Sequence, residues 1–145
     1  MTASDLTSPW VSGTNLVMDV RVFPDRHATS VLQMESHLTL EDAVLPWGRA
    51  EQFNLLLHGE PSLEGLIPAT MNVGLELYNM QSPWGRSRVT VLSARSTLLP
   101  GDATMRTTDF QLHHENLLTS WGGCVEADVS GQIAQFQEQA ALTHQ

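Results

Sequence analysis

Four tryptophans, Trp10, Trp47, Trp84 and Trp121, stand at an even interval of 37 residues along this chain, and there are no others. The columns around them are also shared. Pro9, Pro46 and Pro83 precede a Trp, with Ser120 in the fourth place. Gly48, Gly85 and Gly122 follow one, with Val11 in the first. Five residues before each Trp is Asp5, Asp42, Asn79 or Asn116, and nine before is Met1, Leu38, Leu75 or Leu112. Several columns aligned at one spacing mark a supersecondary unit that cannot bury its apolar face alone and needs copies of itself beside it. The units are 10–46, 47–83, 84–120 and 121–145, the last cut short and completed by 1–9, within a single domain spanning 1–145.

Inside each unit the apolar residues alternate, which is strand periodicity. From Asn15 to Phe23, Leu16, Met18, Val20 and Val22 share one side; Met34, Ser36, Leu38 and Leu40 do so in the next segment. The second unit offers Phe53, Leu55 and Leu57, then Met71, Val73, Leu75 and Leu77. A helix over 47–58 competes there, since Ala50, Phe53 and Leu57 also fit a helical stripe; the repeat favours strand. The third unit offers Val89 to Ala94, then Thr108, Phe110, Leu112 and His114, so His114 takes the place of Leu40 and Leu77. Turn chemistry separates the segments at Pro24-Asp25-Arg26-His27, Gly59 through Gly65, and Leu99-Pro100-Gly101-Asp102. The fourth unit opens with Val125, Ala127 and Val129. From Gln132 to Leu142 it turns Gln- and Ala-rich, with Ile133, Phe136 and Ala140 at the spacing of a short amphipathic helix.

Four hairpins imply an all-β fold: a closed antiparallel barrel or curled sandwich of about eight strands, with a short C-terminal helix and with 1–9 docked beside the last unit to close the ring.

Composition narrows the function. Sixteen acidic residues against seven basic ones give a net charge of −9, the wrong sign for nucleic acid or an anionic membrane. All seven basic residues are Arg. A lone cysteine, Cys124, excludes an internal disulfide and a thiolate zinc site. The first residues have neither the basic nor the apolar region of a signal peptide, and no apolar run reaches spanning length, so a cytoplasmic location or a place in an assembled particle is expected. No cofactor is implied.

The Trp-Gly loops are the leading candidate site: Trp10, Trp47, Arg49, Trp84, Arg86 and Trp121 as ligand-binding residues. An indole beside a glycine, with a guanidinium nearby, can stack on a sugar or clamp an anionic group. The alternative role for the indoles is a structural plug at the barrel end, with the glycines supplying positive φ. Leu77-Tyr78-Asn79 ahead of Trp84-Gly85, together with Trp121-Gly122-Gly123, resembles the Trp-Gly-Gly segments of the Oscillatoria-agglutinin type of mannose-binding lectins, a likeness that implies repeat-built barrels and sugar binding at these loops. The expected function is a noncatalytic binding or assembly module contacting carbohydrate or partner subunits, itself included as a homo-oligomer, with virion or secretion components as the structural parallel. The rival is a small barrel enzyme, a cyclase, isomerase or hydratase, holding an apolar substrate inside with His114 as general base and Ser36, Thr90 and Thr108 as polar companions. No metal site is expected. His113 and His114, as strand neighbours, face opposite ways, and the pairs Glu35/His37 and Asp109/His113 belong to different strands of a solvated outer face.

Overall fold

A computed structural model describes residues 2–24, 32–60, 70–99 and 102–136. Eight strands follow one another: β1 (Thr2–Thr7), β2 (Ser12–Pro24), β3 (Leu32–Leu45), β4 (Gly48–Glu60), β5 (Thr70–Ser82), β6 (Gly85–Leu99), β7 (Asp102–Thr119) and β8 (Gly122–Phe136). They form one antiparallel sheet in which each strand pairs only with its neighbours in sequence. Residues 48–58 are strand rather than helix, with Trp47 in the turn before them. Pro24, Glu60 and Leu99 end strands, Asp102 begins one, Gly59 lies within β4, and the remaining turn residues at that end of the sheet lie outside the described residues.

The alternation read from the sequence sorts the two faces. Met18, Leu38, Leu55, Leu75, Leu92, Leu112 and Val129 lie in consecutive register across β2 to β8, a continuous apolar row on what we call the inner face. The next row toward the tryptophan end runs Leu40, Phe53, Leu77, Thr90, His114 and Ala127. Their outer-face neighbours are mostly polar: Thr39, Asn54, Glu76, His113 and Asp128 form one such row, with Val91 its apolar member. Burial concentrates under the middle of the inner face, where Leu40 and Leu77 are 0% exposed, and fades toward β8, where Val125, Val129 and Ile133 are exposed.

Three expectations are overturned. The sheet is open, neither a barrel nor a sandwich: β1 and β8 are its edges and make no contact with each other among the described residues. The N-terminal segment does not dock beside the last unit; it pairs with β2, Thr2 opposite Val17 and Thr7 opposite Ser12. The six residues of β1 are too few to cover an edge of 15 residues such as β8. Third, the expected helix from Gln132 is strand as far as Phe136, since β7 is 18 residues long and offers the ladder partners Asp109 for Gln132 and Met105 for Phe136. Pairing with a preformed neighbour outweighs a helical spacing of three apolar residues. The rest of that segment, 137–142, lies outside the described residues. Among the described residues no helix is long and apolar enough to cross a membrane, which leaves membrane-crossing by strands unaddressed.

Candidate functional site

All four tryptophans stand in the turns at one end of the sheet, between β1 and β2, β3 and β4, β5 and β6, and β7 and β8. Three turns are held by a hydroxyl two residues before the Trp. Ser82 Oγ donates to the Gly85 carbonyl at 3.1 Å and accepts from the Trp84 N–H at 3.3 Å. Thr119 Oγ1 donates to the Gly122 carbonyl at 2.9 Å and accepts from the Trp121 N–H at 3.2 Å. Ser8 Oγ does the same with the Val11 carbonyl and the Trp10 N–H, at 2.6 and 3.3 Å. This Ser8, Ser82, Thr119 column escaped the sequence reading; its signal is the 37-residue spacing itself, broken only by Leu45. Such a hydroxyl turn satisfies backbone groups that a tight hairpin would leave open.

The Asx column has a backbone role. Asp42, Asn79 and Asn116 have φ of 48°, 50° and 50°, the left-handed conformation that short polar side chains tolerate best. Asn79 adds a short hydrogen bond from its amide to Glu51, and Asn15, at φ 51°, makes a matching one to Glu41. The glycines that follow the tryptophans differ from expectation. Of the three, only Gly122 has positive φ, at 149°. Gly48 and Gly85 are needed for close approach instead: a Cβ on either would stand 2.5 Å from a neighbouring strand's carbonyl oxygen, that of Gln81 or Leu118.

The indoles neither plug a closed end nor gather around one pocket. Trp10 and Trp121, at the flanks, are 77% and 88% exposed. Trp47 and Trp84, 38% and 63% exposed, stand at the rim of a cavity on the inner face. That cavity, about 310 Å³, is lined by Leu75, Leu77 and Met80 of β5, Thr90 and Leu92 of β6, and Leu112, His114 and Leu117 of β7, with Ser82, Gly85 and Thr119 at the turn end. Side chains from three adjacent strands and the two indoles line this one space, the inner-face trough. Arg49 is elsewhere, in an outer cleft with Asp42, Glu51, Asn79 and Gln81. Arg86 lines two outer clefts, one shared with Glu51, Arg88 and Asn116 and one with Trp84, Pro83 and Leu118. Indole and guanidinium thus meet in one cleft at Trp84 and Arg86, while Trp47 and Arg49 line different ones.

His114 is the only titratable group among the described residues lining the trough. Its Nδ1 lies 2.9 Å from Thr90 Oγ1. Burial, and secondarily the charge of His113, holds its pKa below the ordinary imidazole value of 6.5, so it is neutral at pH 7. Of the expected companions, Thr90 meets it. Thr108 bonds Ser96 instead, at 3.2 Å, and Ser36 lies on β3, with three strands between it and β7. On the outer face His113 Nδ1 is 2.7 Å from Asp128 Oδ1, and Glu115 binds Arg88 at 2.6 Å. Glu35 and His37 lie on β3, separated by three intervening strands from Asp109 and His113 on β7. Among the described residues no group of three His, Cys, Asp or Glu could hold a metal ion, and Cys124 is exposed.

Comparison with family models, with curated proteins and with solved structures gives no match in any of the three.

Proposed function

We propose that this chain is a noncatalytic binding module whose inner face receives an apolar ligand, an alkyl or acyl chain, entering beside Trp47 and Trp84. The observation that carries this reading is the trough's lining: six aliphatic or thioether side chains and two indoles around about 310 Å³, with a single titratable group. The size is at the lower bound of small-molecule sites, which are mostly apolar with a few placed polar groups. A sugar brings many hydroxyls that would lose water without gaining partners on such a wall, so the geometry favours a hydrocarbon over the carbohydrate expected from the Trp-Gly loops. The catalytic alternative has a neutral imidazole in the right place for a general base, but no second ionisable group beside it in the trough.

Fluorescence of an apolar probe such as diphenylhexatriene tests this. Enhancement in the wild type, abolished in Leu112→Asp with its β-sheet circular dichroism intact, is the expected result. No enhancement, or enhancement indifferent to the substitution, overturns the reading. Monosaccharides that shift the tryptophan emission would favour the Trp-end sugar site instead.

A second reading, assembly, draws on the two unpaired edges. Past Met18 no strand among the described residues pairs with β2 on its β1 side, where Val20 and Val22 are exposed, and β8 exposes Val125, Val129 and Ile133. Open edges flanked by apolar side chains are templates for another strand. Light scattering that shows oligomers lost on Val129→Lys supports it; a monomer at high concentration counts against it.

A further inference from the structure

The trough's polar groups are almost all spent. Ser82 and Thr119 give their hydroxyl protons to the carbonyls of Gly85 and Gly122. Thr90 Oγ1 has one proton and two neighbours, His114 Nδ1 at 2.9 Å and Met80 Sδ at 3.9 Å. Where that proton goes to Nδ1, the nearer and much the stronger acceptor, Met80 Sδ receives none. The neutral ring then carries its own proton on Nε2, the other nitrogen. Because the Thr90 bond occupies the Nδ1 side, Nε2 is the donor of the trough wall with no acceptor among the described residues. The indole N–H groups belong to rim side chains that water can reach. A wall otherwise of hydrocarbon with one oriented N–H selects a ligand that is hydrocarbon with one acceptor oxygen.

We propose that the site takes an acyl chain, free or esterified, with a carboxyl oxygen accepting the proton of His114 Nε2. This rests on the reading of the trough as an apolar binding site. The tail lies against Leu75, Leu92 and Leu112, and the carboxyl carbon sits level with Thr90. With a net charge of −9 the chain repels a carboxylate at long range, so the ester binds more tightly at low salt and the free acid gains on it as salt is raised.

The experiment is displacement of diphenylhexatriene by dodecanoate, methyl dodecanoate and dodecane from the wild type, His114→Leu and His114→Gln. In the wild type both oxygen-bearing ligands should outcompete dodecane. His114→Leu should weaken them by about tenfold, the loss of one buried hydrogen bond, and leave dodecane unchanged; His114→Gln, which keeps an N–H, should recover part of the loss. A loss confined to dodecanoate identifies the free acid as the ligand, and a loss shared with the ester identifies the carbonyl. If the probe binds all three proteins and the leucine variant treats the three ligands as the wild type does, the His114 assignment falls while the trough stands. If the probe does not bind the wild type, the trough reading itself falls, and this assignment with it.

Discussion

At the scale of single residues, the positions that recur every 37 residues do different jobs. The glycines after Trp47 and Trp84 are there because a side chain cannot fit. In Gly85→Ala the new Cβ would press on the Leu118 carbonyl oxygen at 2.5 Å, an overpacking expected to cost about 1–3 kcal/mol. Gly74→Ala is the control, since its Cβ would meet Leu56 at an ordinary 3.6 Å; urea midpoints should fall for the first and hold within about 0.5 kcal/mol for the second. The adjacent histidines make opposite contributions to pH dependence. Burial lowers His114 below 6.5, so the unfolded chain binds this proton more readily; the stability it contributes is complete above pH 6.5 and is lost as pH falls toward the folded value. The hydrogen bond to Asp128 raises His113 above 6.5, so its contribution is complete below that pH and is lost as pH rises through the folded value. Urea unfolding across about pH 5–8 should show a weaker acid-side decline in His114→Leu and a weaker alkaline-side decline in His113→Gln. Equal profiles for the two variants would contradict the assignment of faces.

Among the strands, the same alternating pattern yields unequal burial. Leu77 in β5 is fully covered, while Val129, two register rows and three strands away in β8, is exposed. Leu77→Ala should therefore cost about 2–5 kcal/mol, and Val129→Ala no more than about 0.5 kcal/mol. Similar losses for both would mean that β8 is covered in solution, as the assembly reading requires. Strand identity was legible in these segments because period two survives in Leu38–Leu40, Leu55–Leu57 and Leu75–Leu77. The segment after Gln132 was not, because Ile133 and Phe136 satisfy a helical spacing in isolation, and only the free edge of β7 makes the extended form the better partner. His114 stood out as a break in an apolar column, and its bond to Thr90 was among the expected contacts. The donor column of Ser8, Ser82 and Thr119 went unread, because hydroxyls are common and their turn role emerges only when the backbone carbonyl they reach is known.

Across the whole molecule, stability should be graded from the centre of the sheet outward. Strands β4 and β5 hold Ala50, Phe53, Leu77 and Met80 in the core, whereas in β8 nearly every described side chain is exposed. Amide hydrogen exchange should thus be slowest in β4 and β5 and fastest in β8; uniform protection from β2 to β8 would show that a partner covers the edge. What the amino-acid order determined unaided was local and periodic: strands, their faces and the turns at the tryptophans. These follow from residue-level sterics and from the two-residue repeat of a pleated chain. Closure was decided elsewhere. Whether the first strand meets the last depends on strand length, tilt and register summed over eight strands, and a spacing of 37 residues carries none of those. So the tertiary structure alone set an open trough where a ring was expected, and placed one histidine, rather than four indoles, at its polar point.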